Sequence, residues 1–367
     1  MQVVRDARDA KEVSMQLRYD LEKKMKEKLR HMWRKIFADP KAYEQFYFEN
    51  MYPKNQVLTL KKDGTLAGMI HLNPYEVCVN EVERTLHYIV GVATLKEYRR
   101  QGIMRKMLVK CMQDMADQGE VFTYLMPAKK EYYEPFDFVF VQQFFIEKMR
   151  GISGKSHLKA MRPEEEIDVC KSLDGYFKER KSVYTKIDLS YLQQLKNECA
   201  CEDGEILLWK EDGKIKGFCC YGKEEETVFV RQIFAEDEKG MQEEISHYFP
   251  EKKIELTLCH GEEKGATIMA RVLRLDLLMP FVKGKSEVTC HIHIEDPIME
   301  AQNGDFLLSI SRKGCKIEPT DQKSDECISI RDFTKVLFGF EAEKIKEEHP
   351  KLKQIIPLSP VMIGEII

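Results

Sequence analysis

The chain has 367 residues, more than one ordinary core accommodates, so two or three domains are expected. Hydrophobic residues make up 43% and charged residues 33%, the balance of a folded soluble protein and not of a disordered one. The net charge of −4 supplies no basic field for nucleic acid and leans towards cationic partners such as amines. No apolar run reaches the length of a membrane span, and Met1-Gln2-Val3-Val4-Arg5-Asp6 does not open a signal peptide. The 11 cysteines are irregularly spaced with no C-x-x-C, which reads as reduced thiols and a cytoplasmic protein. His291 and His293 share a face of a strand-like stretch without a further ligand at metal spacing, so no metal is expected.

From residue 15 to 37 apolar side chains fall at helical spacing (Leu17, Leu21, Met25, Leu29, Met32, Trp33, Ile36), and Asp39-Pro40 ends the run. The lysines and arginines between them alternate with Glu22 and Glu27, as on a solvated outer face. Residues 41–52 read as a second, aromatic-rich helix. Strands at 57–60 and 66–72 flank a turn at Lys62-Asp63-Gly64, and 88–94 reads as a buried central strand. A loop at 95–101 leads into a helix over 102–118, which Gly119 stops. A strand at 121–126 ends on Pro127, and an aromatic segment covers 132–145.

Ser153-Gly154-Lys155-Ser156 reads as a linker. Beyond it, helices at 163–177, 189–198 and 239–249 and strands at 206–209, 215–221, 227–233 and 254–259 form another mixed α/β unit. The last stretch has strands at 288–294, 306–311 and 328–330, a helix at 333–338, and an apolar tail. The division expected is 1–150, 151–285 and 286–367.

Arg99-Arg100-Gln101-Gly102-Ile103-Met104 carries most of the chemical information, because it sits between a buried strand and a helix. A helix start offers unpaired N–H groups and a positive dipole end, which suit a pyrophosphate. Gly102 allows backbone to approach phosphate closely, and Arg99, Arg100 and Arg105 add charge. The pattern is neither a Walker loop nor G-x-G-x-x-G. Following Ile89-Val90-Gly91-Val92-Ala93-Thr94, it resembles motif A (R/Q-x-x-G-x-G/A) of the Gcn5-related N-acetyltransferases (GNAT), with Met104 departing from the usual Gly or Ala.

A second segment, Tyr132-Tyr133-Glu134-Pro135-Phe136-Asp137-Phe138, resembles the GNAT element in which a tyrosine precedes F-G-F/Y; Asp137 stands where glycine is usual. The chain also resembles the enhanced-intracellular-survival (Eis) acetyltransferases. Leu125-Met126-Pro127-Ala128 up to Tyr133, Met269-Ala270-Arg271-Val272, Asn303-Gly304-Asp305-Phe306 and Leu337-Phe338-Gly339-Phe340 carry that likeness.

The resemblance implies an α/β (α+β) architecture. A catalytic GNAT domain (1–150) and a degenerate GNAT-like domain (151–285) would precede a small sterol-carrier-like domain (286–367). It implies acetyl transfer from acetyl-CoA to a primary amine of a small molecule, by direct attack in a ternary complex. Val92, Ala93, Thr94, Arg99, Arg100, Gln101, Gly102, Ile103, Met104 and Arg105 would hold acetyl-CoA. Tyr133 would protonate the leaving thiolate. The Ile367 carboxylate would help deprotonate the amine, though the apolar 361–367 tail equally suits a last core strand. The resemblance further implies a homo-oligomer, a hexamer, with no membrane or nucleic-acid partner. A protein lysine acetyltransferase and a non-catalytic CoA- or lipid-binding module are the alternatives.

Overall fold

The computed structural model describes residues 15–19, 23–324 and 326–365. It opens with strand β1 (Met15–Tyr19), helices α1 (Lys23–Phe37) and α2 (Lys41–Phe46), and strand β2 (Gln56–Lys62). The single helix expected over 15–37 is therefore a strand followed by a helix. Leu17 serves a strand equally well: β1 pairs antiparallel with β2, placing Leu17 opposite Leu60. Strands β3 (Thr65–Val79) and β4 (Val82–Thr94) form a hairpin longer than expected. It closes at Asn80-Glu81, both with positive φ (44° and 71°), as a two-residue turn matched to strand twist requires. Its outer half carries Asn73, Pro74, Glu76, Glu83 and Arg84, which hid the strands from a reading by hydrophobicity. Helix α3 (Ile103–Asp117) and strands β5 (Phe122–Leu125) and β6 (Val139–Arg150) complete the first unit.

The second unit runs through β7 (Leu158–Ala160), α4 (Glu166–Arg180), β8 (Val183–Thr185), α5 (Leu189–Cys201) and β9 (Ile206–Glu211). It continues with β10 (Lys214–Glu224), β11 (Thr227–Ala235), α6 (Glu238–Tyr248), β12 (Lys253–Leu258) and β13 (Glu263–Val272). Its last strand crosses back. β13 lies between β5 and β6, pairing Met269 with Leu125 on one side and Ala270 with Val139 on the other. Among the described residues, fourteen strands thus share one sheet, whose main path is β1-β2-β3-β4-β5-β13-β6-β12-β11-β10-β9-β7. The chain passes from one unit to the next after β6, while the sheet runs on without a break.

The third unit comprises α7 (Leu275–Leu278), β14 (Lys283–Gly284), β15 (Val288–Glu295), β16 (Gly304–Ile310), β17 (Lys316–Pro319) and β18 (Cys327–Ser329). Helices α8 (Ile330–Phe338) and α9 (Glu343–Glu348) and the short strands β19 (Ile355–Ile356) and β20 (Val361–Met362) follow. The Ser329 hydroxyl caps α8 by accepting from the Asp332 amide, and Gly339, at φ 72°, ends it. Phe338 and Phe340 then pack on the first unit, with ring centroids 5.3 Å from Phe122 and 6.1 Å from Phe140. One hydrophobic core accordingly runs through the first and third units and into the second. β20 reaches back to pair with β8, whose other edge pairs with the outer end of β3.

Candidate active site

β4 and β5 are parallel neighbours, yet their register contains a single pair, Tyr88 with Tyr124. Beyond it the strands part. The cause is on the other edge of β4: Met69 faces Ala93 and His71 faces Val90, so two residues of β4 oppose Ile70 alone. The bulge centres on Gly91, at φ 60°, where a Cβ would also come within 2.6 Å of the Trp33 ring. The edge of β4 facing β5 is left without a strand partner from Ile89 to Thr94, and a cavity of about 860 Å³ opens there.

Val92, Ala93, Thr94, Arg99, Arg100, Gly102, Ile103, Met104, Arg105 and Tyr133 line this cavity, together with Met126, Pro127 and Ala128 across the gap. Gln101 does not. Its side chain accepts from Lys62 Nζ and donates to the Glu97 carbonyl, which fixes the back of the loop. Arg99 Nε donates to the Thr94 carbonyl at 3.1 Å, tying the loop to the strand end. Arg100 (φ 59°) and Gly102 (φ 72°) are both left-handed, and Gly102 is the N-cap of α3. Among the described residues no side chain caps this helix, and a Cβ built on Gly102 would meet nothing within 4 Å. The first-turn amides of α3 therefore face open space with their dipole end unneutralised. Arg105 lies over the Phe136 ring at 5.7 Å.

Tyr133 is 7% exposed, whereas Tyr132 beside it is 51% exposed. Burial, with a smaller contribution from Tyr132, pushes the Tyr133 phenol up to about 12, so it keeps its proton across the neutral range. Asp137 takes the left-handed conformation (φ 62°) that the expected glycine would have supplied, so the turn survives the substitution. Of the first unit's other carboxylates near these loops, Glu120 is engaged by the His87 amide and ring, and Glu134 by Lys130 and Arg331. His71 is fully buried, bonds the Tyr47 hydroxyl at 3.2 Å, and is pushed down to about 3 by burial.

Ile367 lies outside the described residues, but the segment before it is well placed. The Ile363 amide donates to Gln142 Oε1 at 2.8 Å, and the Gly364 carbonyl accepts from Gln232 Nε2 at 3.2 Å. Glu365 follows at 3% exposure, accepting from the Thr185 hydroxyl at 3.0 Å. Burial raises its carboxyl to about 7 against the hydrogen bonds it accepts, that from Thr185 first. The Tyr75, Tyr88, Tyr124 and Tyr191 phenols are each raised by burial first and by this carboxyl next; Tyr88 also borders the cavity.

Residues 19–141 match the acetyltransferase (GNAT) domain family, and residues 274–344 match the sterol carrier protein domain family. The first unit is a GNAT acetyltransferase domain. The chain is accordingly an acyl-CoA N-acyltransferase. No curated protein matches the sequence. Solved structures do match the fold over nearly the whole length. A conserved Enterococcus faecalis protein described as a probable N-acyltransferase aligns with TM-score 0.78 at 13% identity, covering 95% of this chain and 99% of its own. A GCN5-related N-acetyltransferase from Anabaena variabilis aligns with TM-score 0.78 at 12% identity, with the same coverages of 95% and 99%. Eis1 from Mycobacterium abscessus aligns with TM-score 0.65 at 12% identity, covering 95% of this chain and 94% of its own.

GNAT domains use acetyl-CoA, and the residues present suit it. The uncapped α3 start and three arginines match a pyrophosphate, and the unpaired β4 edge can hydrogen-bond an amide-bearing arm. Among the described residues no group of His, Cys, Asp and Glu side chains could hold a metal ion. No helix among them is long and apolar enough to cross a membrane. Sequence reading missed Glu365, Gln232 and Asp296, and met Arg271 only as part of the Met269-Ala270-Arg271-Val272 likeness, without a role. A carboxylate within an apolar tail was the one available signal, at Glu365; the others gain their places through long-range pairing.

Proposed function

We propose that the chain transfers an acetyl group from acetyl-CoA to a primary amine of a small molecule, aminoglycoside- or polyamine-like, in a ternary complex. The observation that carries this reading is the splayed β4–β5 notch leading from an uncapped helix start to a buried tyrosine. Acetyl-CoA, when bound, supplies the activated acetyl group. Arg99, Arg100 and the backbone from Gly102 to Arg105 hold its pyrophosphate. The backbone of Val92, Ala93 and Thr94 pairs with its arm and polarises the reacting carbonyl. Tyr133 donates its proton to the departing sulfur. An acceptor amine is cationic at neutral pH, so a group must take its proton; the Ile367 carboxylate, directly or through water, is assigned that role. Eis-like specificity and a hexameric assembly belong to the same reading, and both rest on family resemblance.

Tyr133→Phe removes only the hydroxyl. Thiol release with acetyl-CoA and a panel of polyamines and aminoglycosides should fall roughly 10²–10⁴-fold in kcat, while CoA still binds. Unchanged turnover removes the tyrosine from the mechanism. Acetylation of protein lysines in place of the panel, seen as intact-mass shifts, replaces the small-molecule acceptor.

A further inference from the structure

Tyr133 has no hydrogen bond of its own from its hydroxyl to the chain among the described residues. Its direction is set by the edge-on contact with Phe138 (6.0 Å) and by the turn it begins. That turn, Glu134–Phe136, is one short 3-10 segment with Tyr133 as N-cap, closed by the Phe136 amide donating to the Tyr133 carbonyl at 2.9 Å. The turn before it, Lys130–Tyr132, holds the Tyr133 amide on the Lys130 carbonyl at 2.9 Å, and two such short turns are still a weak support for a group that must meet a reacting atom within a few tenths of an ångström.

The turn is gripped from outside. Arg271, on the inserted strand β13, is 0% exposed. It donates from Nε to the Phe136 carbonyl at 2.9 Å, from Nη1 to the Val272 carbonyl at 2.5 Å, and from Nη2 to Asp296 Oδ1 at 2.6 Å. Asp296 follows β15 in the third unit and is itself held by the amides of Ile298 and Met299, both at 2.9 Å, and by Gln302 Nε2 at 2.7 Å. Asp137 Oδ2 lies 3.8 Å from Arg271 Nη2 and has no hydrogen-bond partner among the described residues. A second hold comes from α8, where Arg331 Nη2 is 3.4 Å from Glu134 Oε1. Burying a guanidinium is costly unless its donors are satisfied, and an apolar pair would bind two units together as well. This guanidinium instead aims one donor at the backbone of the tyrosine's turn.

We propose that the sterol-carrier-like unit acts as a brace for the proton donor: Asp296 orients Arg271, a positioning residue that fixes the Tyr133 turn, with Arg331 as a weaker second hold. This rests on the reading of Tyr133 as the proton donor. The test is a cycle of Arg271→Lys, Tyr133→Phe and the double variant, measured for kcat, KM and CoA affinity. Lysine keeps the charge and loses the planar fork. Expected is a fall in kcat of about 10–100-fold for Arg271→Lys, with acetyl-CoA KM and CoA affinity within about twofold. In the Tyr133→Phe background the same change should cost under about twofold, because the group it positions is gone. An equal loss in both backgrounds, or no loss, overturns the brace while leaving the tyrosine in place. Full activity of Tyr133→Phe alone overturns the underlying reading and the brace with it. If Arg271→Lys does not fold, Arg331→Ala replaces it in the cycle, since Arg331 is a partly exposed side chain. A kcat loss of about three- to fivefold that vanishes with Tyr133→Phe supports the brace; an additive loss overturns it.

Discussion

The two halves of the large sheet repeat one device and put it to opposite uses. In the first unit β4 bulges at Gly91 (φ 60°) before the loop into α3. In the second, β11 bulges at Gln232 (φ 50°): Phe218 faces Phe234 and Cys220 faces Arg231, leaving two residues opposite Cys219. Downstream the units diverge. The first has a loop rich in arginine and an N-cap without a side chain, so the helix start stays open. The second passes from β11 to α6 through Glu236 and Asp237, and the Asp237 carboxylate accepts from the Gly240 amide at 3.0 Å. A fixed anion already occupies the helix start there, and a pyrophosphate would be repelled.

The notches differ as well. The first is a cavity, whereas the chain's own tail lies against the second. Gln232 Nε2 holds the Gly364 carbonyl, and Met362 Sδ lies 3.6 Å from Cys259 Sγ just past β12. A bulge that makes room for a ligand in one unit makes room for residues 361–365 in the other. The lesson is that a bulge opens a notch, and the helix cap and the tail decide what enters it.

If the seated tail delivers the chain end towards the first unit's tyrosines, disturbing that end should have the largest effect. A few residues appended after Ile367 should abolish acetyl transfer while the melting temperature holds, and the same extension at the other end should be tolerated. Full activity of the C-terminally extended protein would separate the tail's seat from the chemistry. It would then leave a backbone-held water as the proton acceptor.

Next in size is the open helix start. Gly102→Val puts a branched residue at φ 72°, and Arg99→Ala with Arg100→Ala removes two cations from the loop. Either change should weaken CoA binding by about 1–3 kcal/mol in calorimetry on folded protein. Unaltered affinity would move the phosphate site away from α3.

How much of this was legible follows the range of the interactions involved. The strand–loop–helix around Gly102 was readable because a buried strand, a glycine and a helix start are neighbours in sequence. The mixed α/β architecture was readable from the same local periodicity. β13 was not: the Met269-Ala270-Arg271-Val272 likeness placed no strand there, because the segment pairs with β5 and β6, over a hundred positions away, and no local period announces that. Residues 15–19 failed for a different reason. One turn of helical spacing and a short alternating strand share the same apolar positions, and pairing with β2 decides between them. The seat of Gly364 on Gln232 had no sequence signal either, because a glutamine in a strand ordinarily reads as a solvent-facing residue.

The smallest expected effect isolates the second unit's cap. Asp237 is exposed and its carboxylate satisfies one amide of α6, so Asp237→Ala should cost only about 0.5–2 kcal/mol, read as a fall in melting temperature of a few degrees. Its value lies in the accompanying titration. Removing the carboxylate frees the helix start, but residues 361–365 still lie against the notch, so CoA should bind once per chain as before. Should a second, weaker binding event appear in Asp237→Ala alone, the cap by itself silences the second unit and the tail's seat is incidental. Should it appear only when Gly364 is also replaced by a residue too large to lie against Gln232, cap and tail act together. In that case the second unit has exchanged its ligand for the chain's own tail.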